Sequence, residues 1–319
     1  EDDPSPSAEA APVVVGIGEH IPAPDEAAQP TSLERLKMLL VGKPRDLADQ
    51  SVFKHVSLIA FLAWVGLGAD GLSSSCYGPA EAFANLRGHY YLAVVLASAI
   101  MATVFIISAC YSHIIEDFPN GGGYLVASKL LGRRIGVVSG CALLVDYVLT
   151  ITVSIAAAGG AIFGLLGEQW ATWQLPSEYI AIAVLIVLNL RGVKESIQVL
   201  LPIFLLFLLT HIVLIVGTIG LHLADTAGVA STLSVQFRAG LSNPELGLLG
   251  MISILLYAYS LGAGTYTGIE AVSNSMTVMR EPRVATAKRT MIYMAVSLAF
   301  TAAGLVVAYL LLGIIPHEG

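Results

Sequence analysis

Charge is scarce in this sequence. Only 12% of its 319 residues are Asp, Glu, Lys or Arg, while 56% are hydrophobic, and the mean hydropathy is +0.78. Soluble domains carry about twice that charged share, so a soluble globular fold is excluded. Cysteine is also rare. Cys76, Cys110 and Cys141 each fall inside an apolar run, which fits small buried hydrophobes and leaves no disulfide framework or metal-ligand spacing. No nucleophile–base pair or metal motif is present, so no enzyme is expected, and no cofactor with it. A basic leader followed by an apolar stretch is missing from the first residues, and so is a starting Met. The net charge of −7 does not describe a binding surface, because Glu1, Asp2, Asp3, Glu9, Glu19, Asp25 and Glu26 supply much of it.

What is abundant is the long apolar stretch. Spanning hydrocarbon takes about 20 such residues, and the chain predicts an all-α transmembrane protein with about seven segments. They run over Val56–Leu86, Tyr90–His113, Ile135–Leu166, Tyr179–Leu190 (short but extendable), Val199–Leu221, Leu248–Ser275 and Met291–Ile315. The long third segment is expected to tilt. Residues 1–50 form a disordered, then basic, N-terminal segment, and residues 51–319 form the membrane domain. With the N-terminus cytoplasmic, fourteen of the sixteen Lys and Arg residues fall inside and only Arg87 and Arg238 outside. The positive-inside rule therefore favours that orientation, in a cell inner or plasma membrane with the lipid bilayer as surroundings.

Two segments carry helix breakers at corresponding places: the glycines and serines around Asp70 in the first, and Gly262 to Gly264 in the sixth. The first begins inside and the sixth outside. Opposed broken helices mark inverted-repeat secondary transporters, whose site lies between the breaks. Five helices per repeat would make this chain a whole first repeat plus the first two helices of the second, so it is expected to be a fragment ending at Gly319. The run Gly66-Leu67-Gly68-Ala69-Asp70-Gly71 matches a dinucleotide-binding pattern, but that pattern needs a strand before it and a helix after it, and no strand signal is near. Gly121 to Gly123 suggest a tight turn into a helix or part of an inner gate.

Carboxylates at membrane depth are costly and mark functional sites by default. Three occur: Asp70, Asp146 and Glu270. Thr150 and Ser154 follow Asp146 at four-residue steps and share its helical face; Thr267 precedes Glu270 by three; Tyr77 follows Asp70 by seven. No Lys or Arg lies at matching depth. Three carboxylates in low dielectric cannot all ionise unpaired, so they must bind a cation or hold protons. Hard oxygen donors suit an alkali cation or a proton better than a transition metal. The plainer alternatives are interhelical hydrogen bonds for Thr150 and Ser154, packing for Tyr77, an ion pair with Arg280 for Glu270, a structural hydrogen bond for His211 and a solvated helix end for Glu81.

The runs GADGLSSSCYGPAEAF, FPNGGGYLVASKLLG, DYVLT, NLRGVKES and GTYTGIEAVSNSM resemble the amino acid–polyamine–organocation (APC) superfamily, over nearly all of Ser51 to Gly319. Within it they look most like the KimA-type potassium importers of the KUP group. That resemblance implies the LeuT-type inverted-repeat fold and potassium–proton symport by alternating access. It implies a potassium site of Asp70, Tyr77, Asp146, Thr150, Ser154, Thr267 and Glu270, with proton coupling at Glu270 or Asp146. It also implies a homodimer formed through a cytosolic C-terminal domain. Gly71 and Cys76 depart from the importers' pattern. A proton-coupled amino acid permease is the alternative, with a non-transporting membrane sensor behind it.

Overall fold

The computed structural model describes residues 57–119, 121–191 and 193–315, with the side chains of residues 191 and 193–195 left aside. Of the unit formed by residues 1–42, only Ser32, Arg35 and Met38 are described, each helical. The expected disordered segment, and the boundary near residue 50, lie outside the described residues.

The described residues from 57 on form a helical array. It comprises α1 (Ala60–Ala84), α2 (Ala93–Asp117), the short α3 (Gly123–Leu130), α4 (Arg133–Leu166), α5 (Ala171–Arg191), α6 (Val193–Leu221), α7 (Thr226–Ser242), α8 (Gly247–Leu261), α9 (Ala271–Asn274) and α10 (Arg283–Leu311). Extended pairing among the described residues is confined to one parallel bridge, Leu58 with Met279. Among the described residues, six spans are long and apolar enough to cross a membrane: Tyr90–Asp117, Arg133–Leu166, Glu168–Leu190, Ser196–Leu221, Gly247–Asn274 and Arg283–Leu311. The protein is therefore a multi-pass membrane protein with the expected all-α fold.

Helix α1 is not among those six, and its glycine- and serine-rich middle is largely buried. Gly71, Leu72, Ser74, Ser75, Gly78 and Pro79 are all buried within it. It packs chiefly against α10, α6, α8 and the 3-10 turn after α8. Protein thus surrounds much of the glycine- and serine-rich stretch. Two apolar clusters flank that stretch. One contains Leu58, Ile115, Met276 and Met291; the other contains Phe83, Leu96, Met251 and Val306. By contrast, no residue of the most apolar window of α5 is buried, and few are in α4 and α6.

The sixth expected segment is broken, as its glycines predict. Helix α8 ends at Leu261, a 3-10 turn covers Gly262–Tyr266, Thr267 is extended, Gly268 takes φ +85°, and α9 restarts at Ala271. The first segment departs from expectation. It runs as one helix from Ala60 to Ala84, with no interruption at Asp70. Ser73 and Ser74 donate their hydroxyls to the Asp70 carbonyl at 2.8 and 3.1 Å, and Ser75 donates to the Leu72 carbonyl at 2.6 Å. The serines are thereby satisfied inside the helix. The glycines serve close approach instead: a methyl group at Gly71 would lie 3.2 Å from the Thr267 carbonyl oxygen, and one at Gly78 would collide with the Thr265 hydroxyl. As the chain rises from Gly71 to Ala82 it meets Thr267, then Thr265, then Gly262. The two segments therefore run in opposite senses, as expected.

Two elements lay beyond the sequence reading. Helix α7 follows α6 in a stretch expected to be a connection, and α5 begins eight residues before the expected Tyr179. Gly121 to Gly123 do lead into a helix, α3.

Candidate cation site

The site lies where α1 passes the interruption between α8 and α9. Asp70 stands one residue before Gly71 and packs against Gly268, where an added methyl would lie 2.9 Å from Asp70 Oδ2. Only glycine combines the positive φ of this turn with such closeness to a carboxylate. One turn along α1, the Ser74 hydroxyl contacts Thr267 Oγ1 across the helix pair at 3.2 Å and accepts the Tyr77 hydroxyl at 3.0 Å. With its own proton on the Asp70 carbonyl, Ser74 accepts from both Tyr77 and Thr267, and the Gly264 carbonyl, 2.8 Å from Thr267 Oγ1, is the alternative acceptor for the threonine proton. A chain of hydroxyls, Tyr77–Ser74–Thr267, thus links one turn of α1 to the broken segment.

Glu270 sits at the start of α9. Its Oε1 is buried with no hydrogen-bond partner among the described residues. The alternative pairing with Arg280 does not form: Arg280 is exposed, and its backbone N–H donates to the Leu58 carbonyl at 2.9 Å. Asp146 comes from α4, a helix whose described residues are mostly exposed, with Gly136, Thr150 and Gly159 buried. Asp146 and Ser154 are part-buried on the same stripe as Thr150, and the Ser154 hydroxyl is buried without a partner among the described residues. The predicted stripe of Asp146, Thr150 and Ser154 is therefore the protein-facing side of α4.

Asp70, Asp146 and Glu270 lie within electrostatic range of one another. No lysine or arginine pairs with any of them among the described residues. Asp146 and Glu270 share a cavity of about 260 Å³ with Tyr111, Gly123, Tyr124 and Asn274; Asp70 lies beyond its walls. The structure thus joins Asp70, Tyr77 and Thr267 in one constellation, and Asp146 and Glu270 in an adjoining one. Thr150 and Ser154 face inward without a described hydrogen bond to either. Glu81 is an exposed residue near the end of α1.

Several residues escaped the sequence reading. Ser74 lies between Asp70 and Tyr77 on their own helical face, a spacing that could have revealed it. Asn274 follows Glu270 by four. Its Nδ2 donates to the Tyr147 hydroxyl at 3.2 Å, and its Oδ1 is buried without a partner among the described residues. Gly122 abuts Asn274 so tightly that any side chain there would overlap the amide. This contact brings the glycine loop against the end of the broken segment, and tertiary contact alone reveals it.

These features accord with the comparisons. The profile described as amino acid permease matches residues 72–319. The potassium transporter KimA of Bacillus subtilis (strain 168) is 31% identical over 277 residues, covering 85% of this chain and 44% of that relative. The chain thus spans less than half the length of that relative. With most of its length matched by the profile, and the broken segment and its crossing with α1 in place, the chain belongs to the amino acid permease family of the APC superfamily.

Proposed function

We propose that the protein carrying this chain is a secondary active transporter that takes up potassium together with a proton. The observation that carries the reading is the gathering of Asp70, Asp146 and Glu270 around an interrupted helix without a basic partner. Such a group is tolerable at membrane depth only if a cation or protons neutralise it. Potassium exchanges its water for oxygens of Asp70, Tyr77, Asp146, Thr150 and Ser154, with Thr267 and Glu270 contributing from the broken segment. Glu270 or Asp146 carries the coupled proton. Alternating access rocks α1, α2, the α8–α9 segment and α10 against α4, α5 and α6. The N-terminus lies in the cytoplasm, and the membrane is the cell's inner or plasma membrane. The printed name of the Bacillus subtilis relative supports potassium as cargo.

The test is uptake into liposomes by the intact purified protein under an imposed proton gradient. Potassium accumulation should appear and should vanish in Asp70→Asn. Accumulation of an amino acid with no potassium flux would overturn the reading in favour of the second one, a proton-coupled amino acid permease. The family description favours that alternative. There the open backbone at Gly264 to Gly268 would receive the substrate carboxylate, and Asp70 its ammonium.

A further inference from the structure

Cys76 and His211 take no part in the proposed cation site, yet they face each other across two helices. Cys76 Sγ of α1 lies 4.0 Å from His211 Nε2 of α6. The other ring nitrogen, Nδ1, is 2.8 Å from the Phe207 carbonyl. A carbonyl can only accept, so Nδ1 carries the proton and Nε2 presents its lone pair to the sulfur. The ring is further held by stacking on Phe207, with centroids 3.9 Å apart. A histidine whose second nitrogen is anchored to a backbone carbonyl has the orientation and tautomer of a metal ligand.

We propose that Cys76 and His211 form a binding site for a thiophilic divalent cation, such as zinc or cadmium, and that the bound ion clamps α1 to α6. The separation of the pair is close to what two of such an ion's ligands need, and no third His, Cys, Asp or Glu joins them among the described residues. Bonds of about 2.3 Å to sulfur and about 2.0 Å to nitrogen place the two ligand atoms about 3.5–3.7 Å apart at tetrahedral to trigonal angles. A closure of about 0.3 Å from the observed separation therefore suffices. The thiol yields its proton to water as the metal–sulfur bond forms, and water completes the coordination. Soft thiolate with imidazole selects this class of ion over potassium. The clamping element rests on the transport reading, because α1 belongs to the proposed rocking group and α6 to the part it rocks against. The binding element stands without it.

The experiment uses the intact protein with Cys110 and Cys141 changed to alanine, and cadmium as the probe. Calorimetry should find a cadmium site that weakens about tenfold or more in Cys76→Ser and in His211→Ala, and that returns in His211→Cys. Equal binding in all of them overturns the site. Loss in Cys76→Ser alone also overturns it, by reducing it to a single thiol. In liposomes, cadmium should halt potassium uptake by the parent and spare uptake by His211→Ala. Binding that leaves uptake untouched overturns the clamp. Binding by a protein that moves no potassium leaves the site standing and removes the transport reading instead.

Discussion

At the scale of single residues, Ser74 is the informative one. Its hydroxyl stands between Tyr77 and Thr267, with oxygen separations of 3.0 and 3.2 Å, so it ties a residue on α1 to one on the broken segment. Each such hydrogen bond contributes about 0.5–1.5 kcal/mol net. Ser74→Ala is therefore expected to raise the KM for potassium, by up to about tenfold where one such bond, about 1.4 kcal/mol, is lost from the potassium-bound state alone. Ser75→Ala should leave KM unchanged, because that hydroxyl serves the Leu72 carbonyl within its own helix. Concentration dependence of uptake by the two variants decides the matter. The carboxylates themselves were legible in the sequence, because charge at membrane depth is conspicuous. Ser74 was not, because a serine among serines carries no such signal until its partner on another helix is seen. The same holds for Asn274, whose role beside Gly122 is set by a loop more than a hundred positions away.

At the scale of elements, the glycines of α1 were recognised as significant but assigned the wrong work. A helix break and a close helix approach demand the same residue, and only the neighbouring element distinguishes them. Here Gly71 and Gly78 admit the Thr267 carbonyl and the Thr265 side chain to the surface of an unbroken helix. Gly78→Ala should accordingly destabilise the protein by about 1–3 kcal/mol, as overpacking does. Gly160→Ala on α4, with open space around it, should be neutral or stabilising by up to about 1 kcal/mol through helix propensity. Thermal unfolding in detergent compares them directly. The break in the sixth segment was readable because nothing rescues its backbone locally: Gly262, Gly264 and Gly268 cluster there, and Gly268 needs its positive φ. Helix α7 escaped notice because it is short, at 17 residues, and more polar than a span.

For the whole molecule, the spans were legible in hydropathy, and the proposed direction rests on the lopsided distribution of Lys and Arg; both act through the bilayer rather than through any partner side chain. The expected topology puts Arg238 on α7 outside and Arg134 at the start of α4 inside. Single cysteines at those positions, in a cysteine-free background, should react with an impermeant maleimide on intact cells only at position 238; labelling at 134 alone would invert the orientation. How the spans nest was not legible, because apolar faces resemble one another whether they meet lipid or protein. Only the folded arrangement reveals that α1 and α10 lie inside while α5 lies out.

The bridge between Leu58 and Met279 belongs to this largest scale. The Leu58 N–H donates to the Val278 carbonyl at 2.8 Å, and the Arg280 N–H donates back to the Leu58 carbonyl at 2.9 Å. The entry to α1 and the exit from the broken segment are thus stitched together by main chain. Such a seam is indifferent to side-chain identity, so sequence drift at these positions leaves it intact. Under the proposed rocking it would serve as a yoke: a swing of one half-site would pull on the other, and a wedge driven in at either end would be felt at both.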